Sequence, residues 1–123
     1  MPDETPSIFD PGADFRVSAA PVRDGVRAVT LSGSLDFSAV EPVWSRLRQL
    51  VAGTSVLALD TSRVEFCDAA GLRLLIRLHE QGSAEGCQVV VCAASPMVDW
   101  LLRLMRLAAT FDYPPATQPD GET

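Results

Sequence analysis

One stretch of the sequence gathers side chains that can support nucleophilic or binding chemistry. It runs Val64-Glu65-Phe66-Cys67-Asp68-Ala69-Ala70-Gly71-Leu72. Cys67 and Arg73 have the Cys-x5-Arg spacing with which a thiolate at a helix N-terminus and a guanidinium hold a phosphate. Asp68 argues against this chemistry, because its carboxylate would repel the incoming phosphate, and Phe66 stands where a histidine normally precedes the cysteine. We therefore expect binding rather than catalysis, and no catalytic residue.

Other catalytic and metal-binding chemistries lack the residues they need. Three cysteines in no Cys-x-x-Cys arrangement and one histidine, His79, exclude a zinc site of the usual spacing. Asp60 or Asp68 as a phosphoacceptor would need a neighbouring acidic pair and a lysine, and the chain has no lysine. No glycine-rich phosphate loop is present. We expect no cofactor and no metal, and we expect all three cysteines to be small core residues.

Length and charge favour a single domain that works on protein partners. The 123 residues are enough for one compact domain with its own core. The net charge of -6 disfavours nucleic acid and anionic membranes as partners. No apolar run approaches the roughly 20 residues of a membrane span, and the acidic N-terminus has no signal-peptide pattern, so we expect a cytoplasmic protein. Proline-rich, aperiodic composition predicts disordered tails at 1–14 and 114–123 around a domain at 15–113.

Hydrophobic periodicity predicts strands alternating with helices. Two alternating runs form a hairpin, two continuous apolar runs indicate strands buried on both faces, and three segments have a helical apolar face. The strands are expected at 15–19, 26–33, 55–60 and 87–93, with a short last strand at 110–112, and the helices at 40–51, 71–81 and 96–107. This order predicts an α/β fold with a mixed, mostly parallel sheet of four to five strands and helices packed on it.

The helix termini carry recognisable signals. Asp68 can cap the second helix by accepting hydrogen bonds from its first backbone N–H groups. Ser95-Pro96 places a capping residue before a proline at the first helical position. The start of the first helix stays open, because Ser38 and Glu41 have capping-box spacing whereas Pro42 favours a later start. Trp44 and Trp100 lie at helical spacing with apolar residues and are expected in the core or at its edge.

Ligands and partners of such sheets meet the carboxyl ends of the strands, where loops lead into helices. Three loops qualify: 33–38, 61–68 and 94–95. We expect the middle one to be an irregular connection that leads directly into the second helix. The Cys67 to Leu72 segment begins in it and continues into that helix, so it is the most informative of the three.

Two segments together resemble the STAS domain of bacterial anti-sigma factor antagonists. They are Leu31-Ser32-Gly33-Ser34-Leu35-Asp36 and the run from Leu59 to Leu72, and the similarity covers nearly the whole domain. The resemblance implies a protein that binds an anti-sigma factor with a kinase-like fold and so releases sigma for transcription. It also implies a partner-binding surface, composed of Asp36, Asp68, Ala69, Ala70, Gly71 and Leu72. A STAS accessory subunit of a transporter or of another signalling complex is the alternative.

The resemblance also implies that this chain lacks the family's regulatory phosphorylation site. Family members carry Asp-Ser-Ser-Gly and are phosphorylated on the serine just before the glycine, a position that Ala70 occupies here. Alanine has no oxygen to accept a phosphate. A phosphate there would add nearly two negative charges inside a packed interface. We therefore expect docking that is not controlled by phosphorylation at this position.

Overall fold

The computed structural model describes residues 7–12 and 15–114 of the chain. Within these residues, five strands and three α-helices follow each other, with a short 3-10 helix at Phe37–Ala39 before the first α-helix. The strands are β1 Ser7–Gly12, β2 Phe15–Ala19, β3 Val26–Leu35, β4 Val56–Cys67 and β5 Gln88–Ala94. The α-helices are α1 Val40–Val51, α2 Ala69–Ala84 and α3 Pro96–Leu104.

The strands form one sheet in the order β1-β2-β3-β4-β5. The pairs β1–β2 and β2–β3 are antiparallel, and α1 and α2 connect the parallel pairs β3–β4 and β4–β5. The α/β fold with a mixed sheet and the opening hairpin of β2 and β3 are thus confirmed.

Strand β1 corrects part of the expected N-terminal tail. Residues Ser7–Gly12 pair with β2 through backbone groups, although the sequence of this segment shows no strand periodicity. Pro11 lies where the register shifts between Phe9 and Gly12, and a proline of this kind is tolerated at the edge of a sheet. The expectation of disorder at 1–6, 13–14 and 115–123 lies outside the described residues.

Strands β4 and β5 bury one face rather than two. In β4, Leu57 and Leu59 are fully buried, whereas Val56, Ala58 and Asp60, which alternate with them, keep part of their solvent-accessible surface. The prediction of strands covered on both faces was therefore wrong. Small and apolar residues on the more open face made the run look continuous, so its periodicity was hidden.

Strand β4 also continues to Cys67, through the segment expected as an irregular connection. It can do so because β3 pairs with it to the end, with Ser34 opposite Phe66 and Leu35 opposite Cys67. Register shifts within this pairing absorb the irregular sequence. As a consequence, the residues that leave the two strands, Asp36 and Asp68, emerge side by side.

The helix termini follow their local signals. Helix α1 begins at Val40, next to Ala39, which makes no side-chain cap; Ser38 is therefore not its capping residue, and Pro42 lies in its first turn. Ser95 caps α3, its hydroxyl oxygen accepting from the N–H of Val98 at 3.3 Å, with Pro96 at the start of the helix.

The C-terminal part differs from expectation in three places. Helix α3 ends at Leu104, and residues 110–112 form turns rather than a strand, although the Phe111 carbonyl accepts a hydrogen bond from the N–H of Val91 in β5 at 2.9 Å. Phe111 is fully buried, which anchors this segment.

Trp100 is 57% exposed and Cys92 is exposed, because both project away from the core that buries Trp44. Within the described residues, no helix is both long and apolar enough to cross a bilayer.

Candidate docking surface

Asp68 connects the start of α2 to the connection that precedes α1. Its backbone is extended, and its Oδ1 accepts from the N–H of Gly71 at 2.9 Å, which is the expected helix cap. Its Oδ2 accepts from the N–H of Phe37 at 3.2 Å. One carboxylate thus satisfies two backbone donors from segments 31 residues apart.

Asp36 holds the other side of this junction. It caps the short 3-10 helix, and its Oδ1 accepts from the N–H of Ser38 at 3.0 Å and from the Ser38 hydroxyl at 2.7 Å. The hydroxyl bond is the largest cause that lowers the pKa of Asp36 below its ordinary value. Asp36 and Asp68 are therefore brought to one site, and both are oriented by backbone and hydroxyl donors.

Ala69 and Ala70 form the beginning of α2 beside this junction. Ala69 is exposed and Ala70 is half-buried. Neither side chain can donate or accept a hydrogen bond, so the first turn of α2 presents methyl groups, as expected from the alanines at these positions. The exposed Arg73 follows one turn later on the same helix.

Gly71 and Leu72 lie beneath the surface rather than on it. A Cβ on Gly71 would be 2.2 Å from the Leu35 carbonyl oxygen and 3.0 Å from the Cys67 Sγ. The lack of a side chain therefore lets α2 approach the ends of β3 and β4. Leu72 is only 7% exposed and packs in the core. Their expected part as contact residues is corrected: they position the surface from below.

Two phenylalanines that we did not single out complete the surface. Phe37 is 80% exposed and follows Asp36 in the chain, and Phe66 is 43% exposed near the end of β4, two residues before Asp68. The only sequence signal for them was an aromatic residue in a strand-to-helix loop, which is equally typical of a core residue. We call the following set the docking surface: Asp36, Phe37, Phe66, Asp68, Ala69 and Ala70.

Cys67 is held in a state opposed to nucleophilic chemistry. Its side chain is buried, and burial, followed by the negative charge of Asp68, raises the pKa of its thiol to about 11. A reactive cysteine needs the pKa lowered instead. His79, the one histidine, is half-buried and packs edge-on against Phe111, with ring centroids 5.4 Å apart. The surroundings of both side chains are therefore those of residues that pack in the fold.

Comparison with known proteins places this geometry in a family. A family model described as "Mlab, STAS domain" matches residues 19–111. Osmosensory protein A of Mycobacterium tuberculosis is 33% identical over 73 residues, which are 59% of this chain but only 46% of that protein, so the match spans about half of its length. The intermembrane phospholipid transport system binding protein MlaB of Escherichia coli is 32% identical over 81 residues, 66% of this chain and 81% of MlaB.

A solved structure agrees in fold and in sequence. The crystal structure of an anti-sigma factor antagonist from Mycobacterium paratuberculosis has a TM-score of 0.71 and 28% identity, and the alignment covers 83% of this chain and 87% of that one. The resemblance deduced from the two motifs is thereby confirmed. Since the family model covers most of the chain, this protein belongs to the STAS-domain family.

Proposed function

We propose that this protein is an anti-sigma factor antagonist, which binds an anti-sigma factor with a kinase-like fold through the docking surface and releases sigma. The observation that carries the proposal is Phe37, whose side chain is 80% exposed while its backbone N–H is held by Asp68. Exposed aromatic side chains on a fixed backbone are typical energetic centres of protein interfaces. The cytoplasm, where transcription takes place, is part of this proposal.

The structural likeness supports the same function. The antagonist from Mycobacterium paratuberculosis covers most of this chain with the same fold. The docking surface lies at the carboxyl ends of β3 and β4, where proteins with parallel strands present their loops to partners. Binding rather than catalysis also agrees with the buried, protonated thiol of Cys67.

In this proposal, partner binding is not regulated by phosphorylation at the first turn of α2. Ala69 and Ala70 have no hydroxyl group, so a partner kinase has no acceptor there. Docking at this surface then depends on the amounts of the two proteins and on inputs at other sites. Incubation with the partner kinase and ATP, followed by intact-mass analysis, should leave the mass unchanged.

A pair of matched variants tests the docking surface. Phe37→Ala should weaken binding of the anti-sigma factor by about tenfold or more, with little change in stability, because the ring is exposed. Trp100→Ala removes an aromatic side chain that is 57% exposed but lies on α3, and should leave binding unchanged. Calorimetric titration with a candidate anti-sigma kinase from the same genome measures both. Equal affinities for Phe37→Ala and the unchanged protein would refute this surface.

A second candidate function is that of an accessory subunit in a lipid transport assembly. The observation that favours it is MlaB, which is matched over 81% of its length. Co-purification from the native organism separates the two: a transport ATPase as the retained partner supports the second function, and an anti-sigma kinase supports the first. In either case the same docking surface is expected to bind the partner.

A further inference from the structure

A cavity of about 820 Å³ lies outside the docking surface. It is formed where the carboxyl ends of β3 and β4 meet the beginnings of β2 and α3. None of its lining residues belongs to the docking surface. Its volume falls within the roughly 300–1,000 Å³ range of sites that bind small molecules.

The sheet is irregular at this place. The register between β3 and β4 shifts on both sides of Ser32 and Gly33, and Gly33 has a φ of 102°. Both residues line the cavity. Such irregularities bend strands and accompany functional sites, because they redirect side chains and backbone groups that a regular ladder would keep paired. The irregular pairing of the two strands therefore lies at the cavity.

The polar part of the lining favours an anion. Arg16, Arg63 and Glu65 line the cavity, in a chain whose net charge is -6. Arg16 is engaged in an interaction of its own, so Arg63 is the group that favours an anion here. Arg63 is exposed and makes no ion pair or side-chain hydrogen bond within residues 15–114. Guanidinium groups bind carboxylates and phosphates through paired, charge-assisted hydrogen bonds.

The remaining lining favours an apolar body beside that charge. Pro96 is exposed and Met97 is half-buried at the start of α3, and both line the cavity. Apolar walls with a few polar groups are the usual composition of small-molecule sites. We propose that this cavity binds a small amphipathic organic anion, with an apolar body and one carboxylate or phosphate group.

Titrations of the isotopically labelled full chain, followed by amide chemical shifts, test this proposal. The probes are octanoate and octyl phosphate, each below its micelle-forming concentration, with octanol and acetate as partial mimics. We expect saturable shifts at residues 62–65 and 95–97 with the two amphipathic anions. Octanol lacks the charge and acetate lacks the body, so both should bind at least about tenfold more weakly. Stronger binding by only one of the two anions identifies the headgroup.

Two charge reversals provide the matched comparison. Arg63→Glu should weaken octanoate or octyl phosphate binding by about tenfold or more, whereas Arg48→Glu, at an exposed arginine on α1 away from the cavity, should not. The amide spectrum of each variant verifies its fold. The proposal fails if octanol binds as tightly as octanoate, if the shifts do not saturate or lie elsewhere, or if Arg63→Glu binds unchanged. None of these outcomes depends on an anti-sigma partner.

Discussion

The Asp68 carboxylate accepts a hydrogen bond from the backbone N–H of Phe37 at 3.2 Å, while its other oxygen caps α2 at Gly71. This contact is possible because β3 and β4 end together, with Leu35 paired to Cys67. A residue that a local pattern identifies only as a helix cap therefore also fixes the connection that carries the most exposed aromatic side chain of the docking surface.

The first prediction concerns Asp68. Asp68→Ala removes both hydrogen bonds, so we expect the free energy of unfolding to fall by about 1–2 kcal/mol. Asp68→Asn keeps an oxygen that can accept a hydrogen bond at the helix cap, so its free energy of unfolding should fall by less. Urea denaturation of the two variants provides the measurement, and partner binding should weaken more for alanine than for asparagine. Equal stability of Asp68→Ala and the unchanged protein would show that the cap contributes nothing.

The second prediction concerns Gly71. Alanine is normally preferred to glycine inside a helix, yet here its Cβ would lie 2.2 Å from a backbone carbonyl oxygen that belongs to β3. We expect Gly71→Ala to lower the free energy of unfolding by about 1–3 kcal/mol, as overpacked cores do. Ser83→Ala, at an exposed position of the same helix, should change it by less than about 0.5 kcal/mol. A stabilised Gly71→Ala protein would contradict the close approach.

The third prediction introduces the missing hydroxyl. Ala70→Ser should become a substrate for the partner kinase, with one phosphate added in the intact mass, and the phosphorylated form should bind the partner more weakly because of its added negative charge. The alanine protein should keep its mass and its affinity under the same conditions. Ser83, exposed near the other end of the same helix, serves as an internal control, since Ser83→Ala should not change the phosphate count of Ala70→Ser. A phosphate on the unchanged protein would overturn this assignment.

The fourth prediction concerns the thiols. Cys67 and Cys87 are buried, and Cys92 is exposed. With a thiol-specific chromogenic reagent at pH 8, we expect Cys92 to react in the folded protein, in the faster of two phases, although partial burial raises the pKa of its thiol and slows it. Cys67 and Cys87 should react only on unfolding. Cys92→Ser should abolish the fast phase. Rapid reaction of a second thiol in the folded Cys92→Ser variant would contradict the burial of Cys67 and Cys87.

The pKa of Cys67 also has a consequence for stability. Burial raises it from 9.0 to about 11 in the folded protein, so the folded state holds its proton at pH values where the unfolded state has released it. The contribution of this thiol is complete below about pH 9 and is lost as the pH rises towards about 11. Over this pH range, the free energy of unfolding of Cys67→Ala should fall by less than that of the unchanged protein. Denaturation at each pH measures both.

Local chemistry made much of the fold predictable. The apolar period of α1, the cap and proline at the start of α3, and the cap at Asp68 each depend on residues a few positions apart, and all three are found. Predictions failed where distant segments decide the outcome. The exposure of Phe37 and of Trp100 depends on what packs around them, and β1 is held by backbone pairing that the sequence of this segment does not signal.

By itself, the sequence determined which groups are present: a capping carboxylate at Asp68, a glycine at 71, and alanine where a phosphate acceptor would stand. These are properties of composition and short-range spacing. Only the tertiary structure decided that Asp36 and Asp68 emerge together, and that Leu72 supports the surface from within the core. The physical reason is the parallel pairing of β3 with β4, which aligns the ends of two strands that are 32 residues apart at Leu35 and Cys67.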